Sequence, residues 1–241
     1  VLRSGKLSGF YASNTERFYG GEYVRKLEDY CKDYFQVNHV ISTNSWTSGL
    51  ICAVGALDLE PGDEVITSPW TMCATATAIL HFNALPVFAD IDPRTFNLSP
   101  ASIEENITKY TKAILAVDIF GQSCDIDQIM QIASKYNLKV ITDTAQSPGS
   151  KYKDKYSGTI SDIGGFSLNC HKHIQTGEGG LIVTNDSYLA ERMQLIRNHG
   201  EAVVESKKIK KISNIIGYNF RLGEIESAIA IEQLKKLDKI I

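Results

Sequence analysis

The sequence predicts an α/β protein in which helices cover both faces of a mainly parallel β-sheet, so that the fold has three layers. Short β-branched runs alternate with amphipathic helical stretches along the chain, and this alternation is typical of strands joined by helical crossovers. Turn-forming residues separate the runs, as at Pro61-Gly62-Asp63 and Pro148-Gly149. The chain has no internal repeat or low-complexity tract that would favour another architecture.

Six segments are rich in β-branched and other apolar residues, and we predict a strand in each. They are Glu64–Thr67, Pro86–Ala89, Ala113–Val117, Lys139–Asp143, Ile163–Leu168 and Gly180–Val183. Four further segments carry apolar residues at helical spacing and are predicted helices. They lie near Ser45–Ala56, Ala74–Phe82, Ile126–Tyr136 and Leu189–Arg197. A last helix is predicted from Gly223 to about Ile240, with an apolar stripe that includes Ile225 and Leu234.

The composition is that of an ordinary globular domain. The 241 residues are 43% hydrophobic and 22% charged, a length and composition that allow one large core. No apolar run approaches the roughly 20 residues that a membrane-spanning helix needs, so we expect no membrane partner. The five cysteines are scattered and form no CxxC pair, which favours a reducing cytoplasm.

Charge and histidine spacing argue against two further classes of protein. The net charge is −3, with acidic and basic residues mixed along the chain. The one basic cluster, at 207–211, lacks aromatic residues that could stack on bases, so a solvated loop or a substrate-facing rim is favoured. Only His171 and His173 are close in sequence, and no third ligand follows at zinc spacing. We therefore predict no nucleic-acid partner and no metal.

The ends of the predicted strands mark the expected site, because ligands of open α/β sheets bind beyond the carboxyl ends of the strands. This rule points to residues 67–71, Asp118, residues 143–146 and residues 167–172. Lys172 follows a buried strand among polar groups, where desolvation would favour the neutral, nucleophilic amine. An ordinary surface lysine is the alternative for Lys172, as a helix N-cap is for Asp143.

The segment from Phe166 to Gly180, FSLNCHKHIQTGEGG, resembles the lysine motif of the DegT/StrS family of sugar aminotransferases. In that family a lysine follows a Phe-Ser pair and precedes Gly-Glu-Gly-Gly at a fixed spacing, and Lys172 stands at the matching position. The resemblance extends over nearly the whole chain, with the matched segments in the same order. They are Pro61–Ile66, Leu85–Asp92, Phe120–Gln122, Asp143–Gln146, Arg197–Gly200 and Gly217–Arg221.

This resemblance implies the large domain of a fold type I aminotransferase over residues 1–241, with pyridoxal 5'-phosphate (PLP) as its cofactor. Lys172 would hold the cofactor covalently and later move protons. Asp143 would pair with the pyridine nitrogen and keep it protonated, so that the ring can accept electrons. Gln146 matches a family glutamine that lies near the cofactor ring.

The phosphate of the cofactor needs backbone N–H groups and hydroxyls at the start of a helix. Ser45, Trp46 and Thr47 match the turn that binds this phosphate in the family, and Ser167 matches a further phosphate-binding serine. Ser45 and Thr47 also suit ordinary helix N-caps. Asn219 resembles an asparagine that reaches the phosphate site of the neighbouring subunit, which implies a homodimer with a shared active site.

Two residues depart from the family pattern. Trp46 stands where many members have glycine. Met72 stands where most members carry the aromatic side chain that stacks on the cofactor ring. Methionine is soft enough to pack on a ring face, and Trp70 lies nearby in sequence. His171 and His173 flank Lys172, and they either act as acid–base groups or pack against neighbouring loops.

The resemblance implies transfer of an amino group from glutamate to a keto-sugar carried on a nucleotide, in the synthesis of surface polysaccharides or glycoconjugates. A dehydratase branch of the family has histidine in place of the lysine, so Lys172 favours transamination. A sugar dehydratase and a non-catalytic PLP-binding regulator are the alternatives. Family members continue into a smaller C-terminal domain, so we expect a truncated chain whose residues 223–241 lead toward that domain.

Overall fold

The computed structural model describes all residues from 1 to 241 and is centred on a seven-stranded β-sheet. The strands of the chain are β1 (His39–Thr43), β2 (Glu64–Thr67), β3 (Leu85–Phe88), β4 (Thr111–Val117), β5 (Lys139–Asp143), β6 (Lys151–Tyr152), β7 (Lys155–Tyr156), β8 (Ile163–Ser167) and β9 (Gly180–Thr184). Strands β6 and β7 form a separate hairpin, and the others lie in the order β1-β9-β8-β5-β4-β2-β3. The predicted α/β class with a mainly parallel sheet is confirmed.

The direction of β9 determines where the lysine segment lies. The neighbouring strands β8, β5, β4, β2 and β3 run parallel, whereas β9 is antiparallel to both β8 and β1. Ser167 at the end of β8 therefore pairs with Gly180 at the start of β9. The segment between these two residues leaves and re-enters the sheet at one edge, which is the edge formed by the carboxyl ends of the parallel strands.

Helices cover both faces of the sheet and complete the three layers. They are α1 (Glu22–Phe35), α2 (Trp46–Gly55), α3 (Cys73–Leu80), α4 (Pro100–Glu105), α5 (Ile126–Tyr136), α6 (Ser187–Arg197), α7 (Glu224–Leu234) and α8 (Leu237–Ile240). Helices α2, α3 and α6 pack on one face, where Leu50, Ile79 and Met193 share a core with Ile141 of β5. Helices α1 and α7 cover β8 and β9 on the other face, and α4 and α5 cover β2 and β4 there.

The structure differs from the sequence prediction at both ends of the chain and in one short helix between them. Helix α1 and strand β1, near the N-terminus, lie outside the predicted elements, as does the short helix α4. The prediction of one helix from Gly223 to about Ile240 is wrong, because α7 ends at Leu234 and α8 begins at Leu237. Both leucines are buried in the same core cluster, whereas Ile225 of the predicted stripe is only partly buried and lies outside that cluster.

Candidate active site

A cavity of about 350 Å³ lies at the carboxyl ends of β4, β5 and β8, the edge at which ligands of open α/β sheets bind. The start of α2, the segment before α3 and the segment between β8 and β9 complete its wall. Of the predicted site residues, the structure brings together Ser45, Trp46, Thr47, Met72, Asp143, Gln146, Ser167 and Lys172. Asn219 does not line the cavity.

Asp143 is the last residue of β5, and the residue is 5% exposed. The indole Nε1–H of Trp46 donates to Oδ1 at 2.7 Å, and the Thr75 hydroxyl donates to Oδ2 at 2.9 Å. Burial raises the pKa of Asp143, while the hydrogen bonds from Trp46 and Thr75 and the nearby charge of Lys172 oppose that rise. The site therefore contains a buried carboxylate that is hydrogen-bonded on both oxygens.

Lys172 lies in the segment between β8 and β9 and is half-buried at the cavity. Its backbone N–H donates to the carbonyl of Asn169 at 2.9 Å, and the Asn169 N–H donates to the Ser167 hydroxyl at 3.2 Å. These turns hold the backbone on both sides of the lysine. The Lys172 ammonium makes no hydrogen bond or ion pair within the chain, so its side chain is available to a molecule in the cavity.

The start of α2 has the features of an anion site. Ser45 is the N-cap, and its hydroxyl accepts from the N–H of Ser48 at 3.0 Å. The N–H groups of Trp46 and Thr47, in the first turn, lack partners within the helix, and Thr47 is exposed. Gly180 of β9 passes this turn so closely that a Cβ atom there would lie 2.6 Å from the Ser45 carbonyl oxygen. Free amides beside hydroxyls at a helix start suit a phosphate group.

Trp46 lines the cavity, and its side chain makes a contact that its position in the phosphate turn does not predict. The residue is 5% exposed, and its indole points into the protein, where the Nε1–H reaches Asp143. Helix α2 nevertheless begins with an ordinary serine cap, so tryptophan at this position leaves the turn intact. The backbone of Trp46 begins α2 next to the Ser45 cap, and its side chain contacts the buried carboxylate.

The side chains expected near a cofactor ring differ in exposure. Met72 lines the cavity and is 63% exposed. Trp70 does not line the cavity, and its ring lies against Phe96 with 6.1 Å between ring centroids. Gln146 lines the cavity, and its Oε1 accepts from the N–H of Phe120 at 2.8 Å. Only Met72 and Gln146 of this group are therefore placed to contact a ring held between the lysine and the carboxylate.

Asn219 is exposed and lies beside the start of α2. Its carbonyl accepts from the Asn44 side chain at 3.4 Å, and its own side chain accepts from Arg221 at 2.7 Å. A single chain does not include the neighbouring site that the resemblance implies for Asn219. Its role across a subunit boundary stays a prediction.

Three residues at or behind the cavity wall, Thr75, Asn169 and Glu178, were given no role in the sequence prediction. Thr75 binds Asp143, and its position in a predicted helix after a strand end was the available signal. Asn169 and Glu178 line the cavity and are joined by a hydrogen bond of 2.9 Å. His171 also lines the cavity, whereas His173 does not. Of the two histidines beside the lysine, only His171 is placed to contact a bound molecule.

No group of three or more His, Cys, Asp and Glu side chains is arranged to hold a metal ion. None of the helices combines the length and the apolar character that crossing a membrane requires.

Residues 11–241 match the DegT/DnrJ/EryC1/StrS aminotransferase family, and the chain belongs to this family. Its sequence is 41% identical to GDP-perosamine synthase of Caulobacter vibrioides over 219 residues, which are 91% of this chain and 58% of the relative. The structure is similar to Helicobacter pylori PseC, an aminotransferase of pseudaminic acid biosynthesis, with a TM-score of 0.86 and 32% identity over 99% of this chain and 61% of PseC.

A third relative carries out different chemistry. The E. coli GDP-4-keto-6-deoxy-D-mannose-3-dehydratase, solved with bound hydrated PLP, matches with a TM-score of 0.81 and 30% identity. The match covers 91% of this chain and 61% of the dehydratase. The fold is thus that of fold type I PLP-dependent enzymes. The chain spans less than two thirds of the length of each of these three proteins.

Proposed function

We propose that this chain is the cofactor-binding large domain of a PLP-dependent aminotransferase that moves an amino group from glutamate to a nucleotide-linked keto-sugar. The observation that carries the proposal is that Lys172 and Asp143 line one cavity together with the start of α2. An amine, a buried carboxylate and an anion site are the groups that the aldehyde, the pyridine nitrogen and the phosphate of PLP require.

When bound, PLP supplies an aldehyde that combines with amines and a ring that accepts electrons. Asp143 would hold the proton of the ring nitrogen by charge pairing. Ser45, Thr47 and Ser167, with the first amides of α2, would bind the phosphate. Lys172 would move a proton at the α-carbon of the donor, and such acid–base help typically contributes ~10²–10⁴-fold to the rate.

The proposed reaction includes a keto-sugar because sugar aminotransferases are among the relatives of this chain. The name of the Caulobacter relative contains GDP, which supports a sugar carried on a nucleotide. We further propose a homodimer in which Asn219 serves the partner's phosphate site.

The test replaces Lys172 in the full-length protein with alanine. The variant should lose both turnover with glutamate and a keto-sugar and the visible absorbance of lysine-bound PLP. Lys155→Ala, at an exposed hairpin lysine that does not line the cavity, is the matched control and should behave like the parent. An active Lys172→Ala protein with an unchanged spectrum would overturn the proposal.

The dehydratase is the second candidate, and the similarity to the E. coli dehydratase is the observation that favours it. Lys172 supports the aminotransferase, because the dehydratase branch carries histidine at the matching position. Analysis of the products from a nucleotide-linked keto-deoxysugar separates the two functions. An aminotransferase releases one 2-oxoglutarate for each amino-sugar formed, whereas a dehydratase releases a deoxygenated keto-sugar.

A further inference from the structure

The carboxylate of Asp143 is held by two donors that come from different helices. Trp46, in the first turn of α2, donates through its indole Nε1–H to Oδ1 at 2.7 Å. Thr75, in the first turn of α3, donates through its hydroxyl to Oδ2 at 2.9 Å. Two donors on two oxygens define the plane of the carboxylate. The Ala145 N–H is a second donor to Oδ1, at 3.2 Å, so it is Oδ2 that keeps the capacity for one further bond.

The sheet contains a space that fits the indole of Trp46. Gly165 of β8 is the parallel-strand partner of Asp143, and a Cβ atom at Gly165 would lie 2.0 Å from the indole ring. A Cβ atom at Gly49, one turn along α2, would lie 2.6 Å from the same ring. Both glycines therefore leave the volume that the indole occupies, and one of them lies directly beside the carboxylate.

We propose that Trp46 is a positioning residue, whose indole N–H acts with Thr75 to keep the Asp143 carboxylate ionised and oriented toward the nitrogen of the cofactor ring. This inference rests on the proposed function. A hydrogen bond from a neutral donor favours the charged form of a buried carboxylate. Without the indole N–H, Oδ1 would retain only the N–H of Ala145, at 3.2 Å. Burial would then favour the neutral acid more strongly, and a neutral acid pairs poorly with a protonated ring.

The first experiment tests the hydrogen bond in the cofactor-free, full-length protein. Trp46 and Trp70 are the only two tryptophans of the 241 residues, so we expect at least these two indole N–H signals in a proton–nitrogen NMR spectrum. The Trp46 signal, assigned by its loss in Trp46→Phe, should exchange slowly with D₂O and shift in Asp143→Asn. The signal of Trp70, which is 48% exposed, should do neither. A Trp46 signal that exchanges as fast as that of Trp70 would overturn the inference.

The second experiment measures PLP affinity against pH. Trp46→Phe keeps a ring beside Gly165 and removes the donor, and we expect an affinity loss of about 10- to 100-fold, as for a hydrogen bond to a charged group. The lower pH limit of binding should move to higher pH, because the carboxylate must be ionised to pair with the ring. Trp70→Phe is the control and should leave both quantities unchanged.

A second pair of variants keeps the test decisive if Trp46→Phe folds poorly. Thr75→Val removes the other donor without changing the size of the side chain and should shift the pH limit in the same direction, whereas Thr75→Ser should restore the parent value. Identical pH limits in Trp46→Phe, Thr75→Val and the parent would overturn the inference. If the parent itself fails to bind PLP, the proposed function is wrong, and the NMR result still reports on the hydrogen bond alone.

Discussion

Arg197 and Glu28 form an ion pair that is enclosed by protein on all sides. The arginine Nη1 donates to the glutamate Oε1 at 2.6 Å, and both side chains are buried. The same carboxylate oxygen accepts from the N–H and the hydroxyl of Ser42 in β1. The pair thereby joins α1, α6 and the edge strand of the sheet.

Removing the charge of Glu28 should destabilise the fold strongly. Glu28→Gln leaves the Arg197 charge buried without a counter-ion, and breaking a buried pair in this way typically costs about 3–5 kcal/mol. Urea unfolding at neutral pH measures the change. Glu16→Gln is the control, because Glu16 pairs with Arg25 at the surface, where such pairs contribute about 0–1 kcal/mol. Equal losses in the two variants would contradict the prediction.

Gly180→Ala should weaken PLP binding. The added methyl group would lie 2.6 Å from the Ser45 carbonyl, so β9 or the start of α2 must shift, and overpacking of this kind typically costs about 1–3 kcal/mol. Because that turn is the proposed phosphate site, the PLP dissociation constant should rise, as followed by absorbance titration.

Gly62→Ala provides the comparison for Gly180→Ala. Gly62 has a φ of +90° and no atom near its missing side chain, so alanine there should cost about 1–3 kcal/mol of backbone strain. It lies outside the cavity and should leave PLP affinity unchanged. A Gly180→Ala protein that binds PLP as well as Gly62→Ala does would count against the proposed phosphate site.

Because of Asp118, the free energy of unfolding should fall as the pH rises from about 4 to 7. Burial raises the pKa of Asp118 to about 6, above the value of an unfolded chain. The folded state therefore holds the proton more tightly, and the stability associated with it is present at low pH and lost as the pH rises through the folded pKa. The Oδ2 atom has no hydrogen-bond partner to compensate.

Asp118→Asn tests this pH dependence. The amide of the variant carries no charge at any of these pH values. The free energy of unfolding of Asp118→Asn should therefore exceed that of the parent only slightly at pH 4.5 and by up to about 3 kcal/mol at pH 8, from a shift of roughly two pKa units. Asp29→Asn, at an exposed residue of α1, should show no such trend. Parallel pH curves for Asp118→Asn and the parent would rule the prediction out.

Met72 gives a prediction about the cofactor ring. If its thioether packs on the ring, Met72→Ala should weaken PLP binding by about threefold to tenfold, in line with a contact of ~1 kcal/mol between sulfur and an aromatic ring. Met72→Tyr, which restores the aromatic group common in the family, should bind at least as tightly as the parent. Because Met72 is 63% exposed, neither change should alter the melting temperature. Unchanged affinity in Met72→Ala would place the stacking group elsewhere.

The sequence predicts most of the parallel sheet, because its strands are short apolar runs between clear turn residues. Helix α1 had a usable signal, since Val24, Leu27, Cys31 and Phe35 recur at helical spacing and are all buried. The antiparallel direction of β9 could not be predicted, because an apolar run reads the same in either direction. The sequence of β9 therefore does not predict at which edge of the sheet the lysine segment returns.

Most residues of the candidate site could be predicted from the sequence, but only some of their contacts could. Eight of the nine residues predicted to bind the cofactor line one cavity, all except Asn219, as residues at the strand ends of a parallel sheet can do. The bond between Trp46 and Asp143 depends on the space beside Gly165, which lies in a distant part of the sequence. No local sequence pattern shows that the indole and this space come together. The contact between Thr75 and Asp143 could not be predicted for the same reason.

The pairing of Ser167 with Gly180 limits how far the Lys172 amine can travel. Partners across antiparallel strands have Cα atoms about 4.5–5.5 Å apart, so the intervening segment is tethered at both ends to one point of the sheet. Further hydrogen bonds within the segment, from the Leu168 N–H to the Gly179 carbonyl at 2.9 Å and from the Cys170 N–H to the Gly177 carbonyl at 3.0 Å, restrict the backbone beside Lys172. An amine released from a covalent bond would therefore stay near the place it left. Its effective molarity would remain high through a catalytic cycle, and recapture would compete well with diffusion of the ligand out of the site.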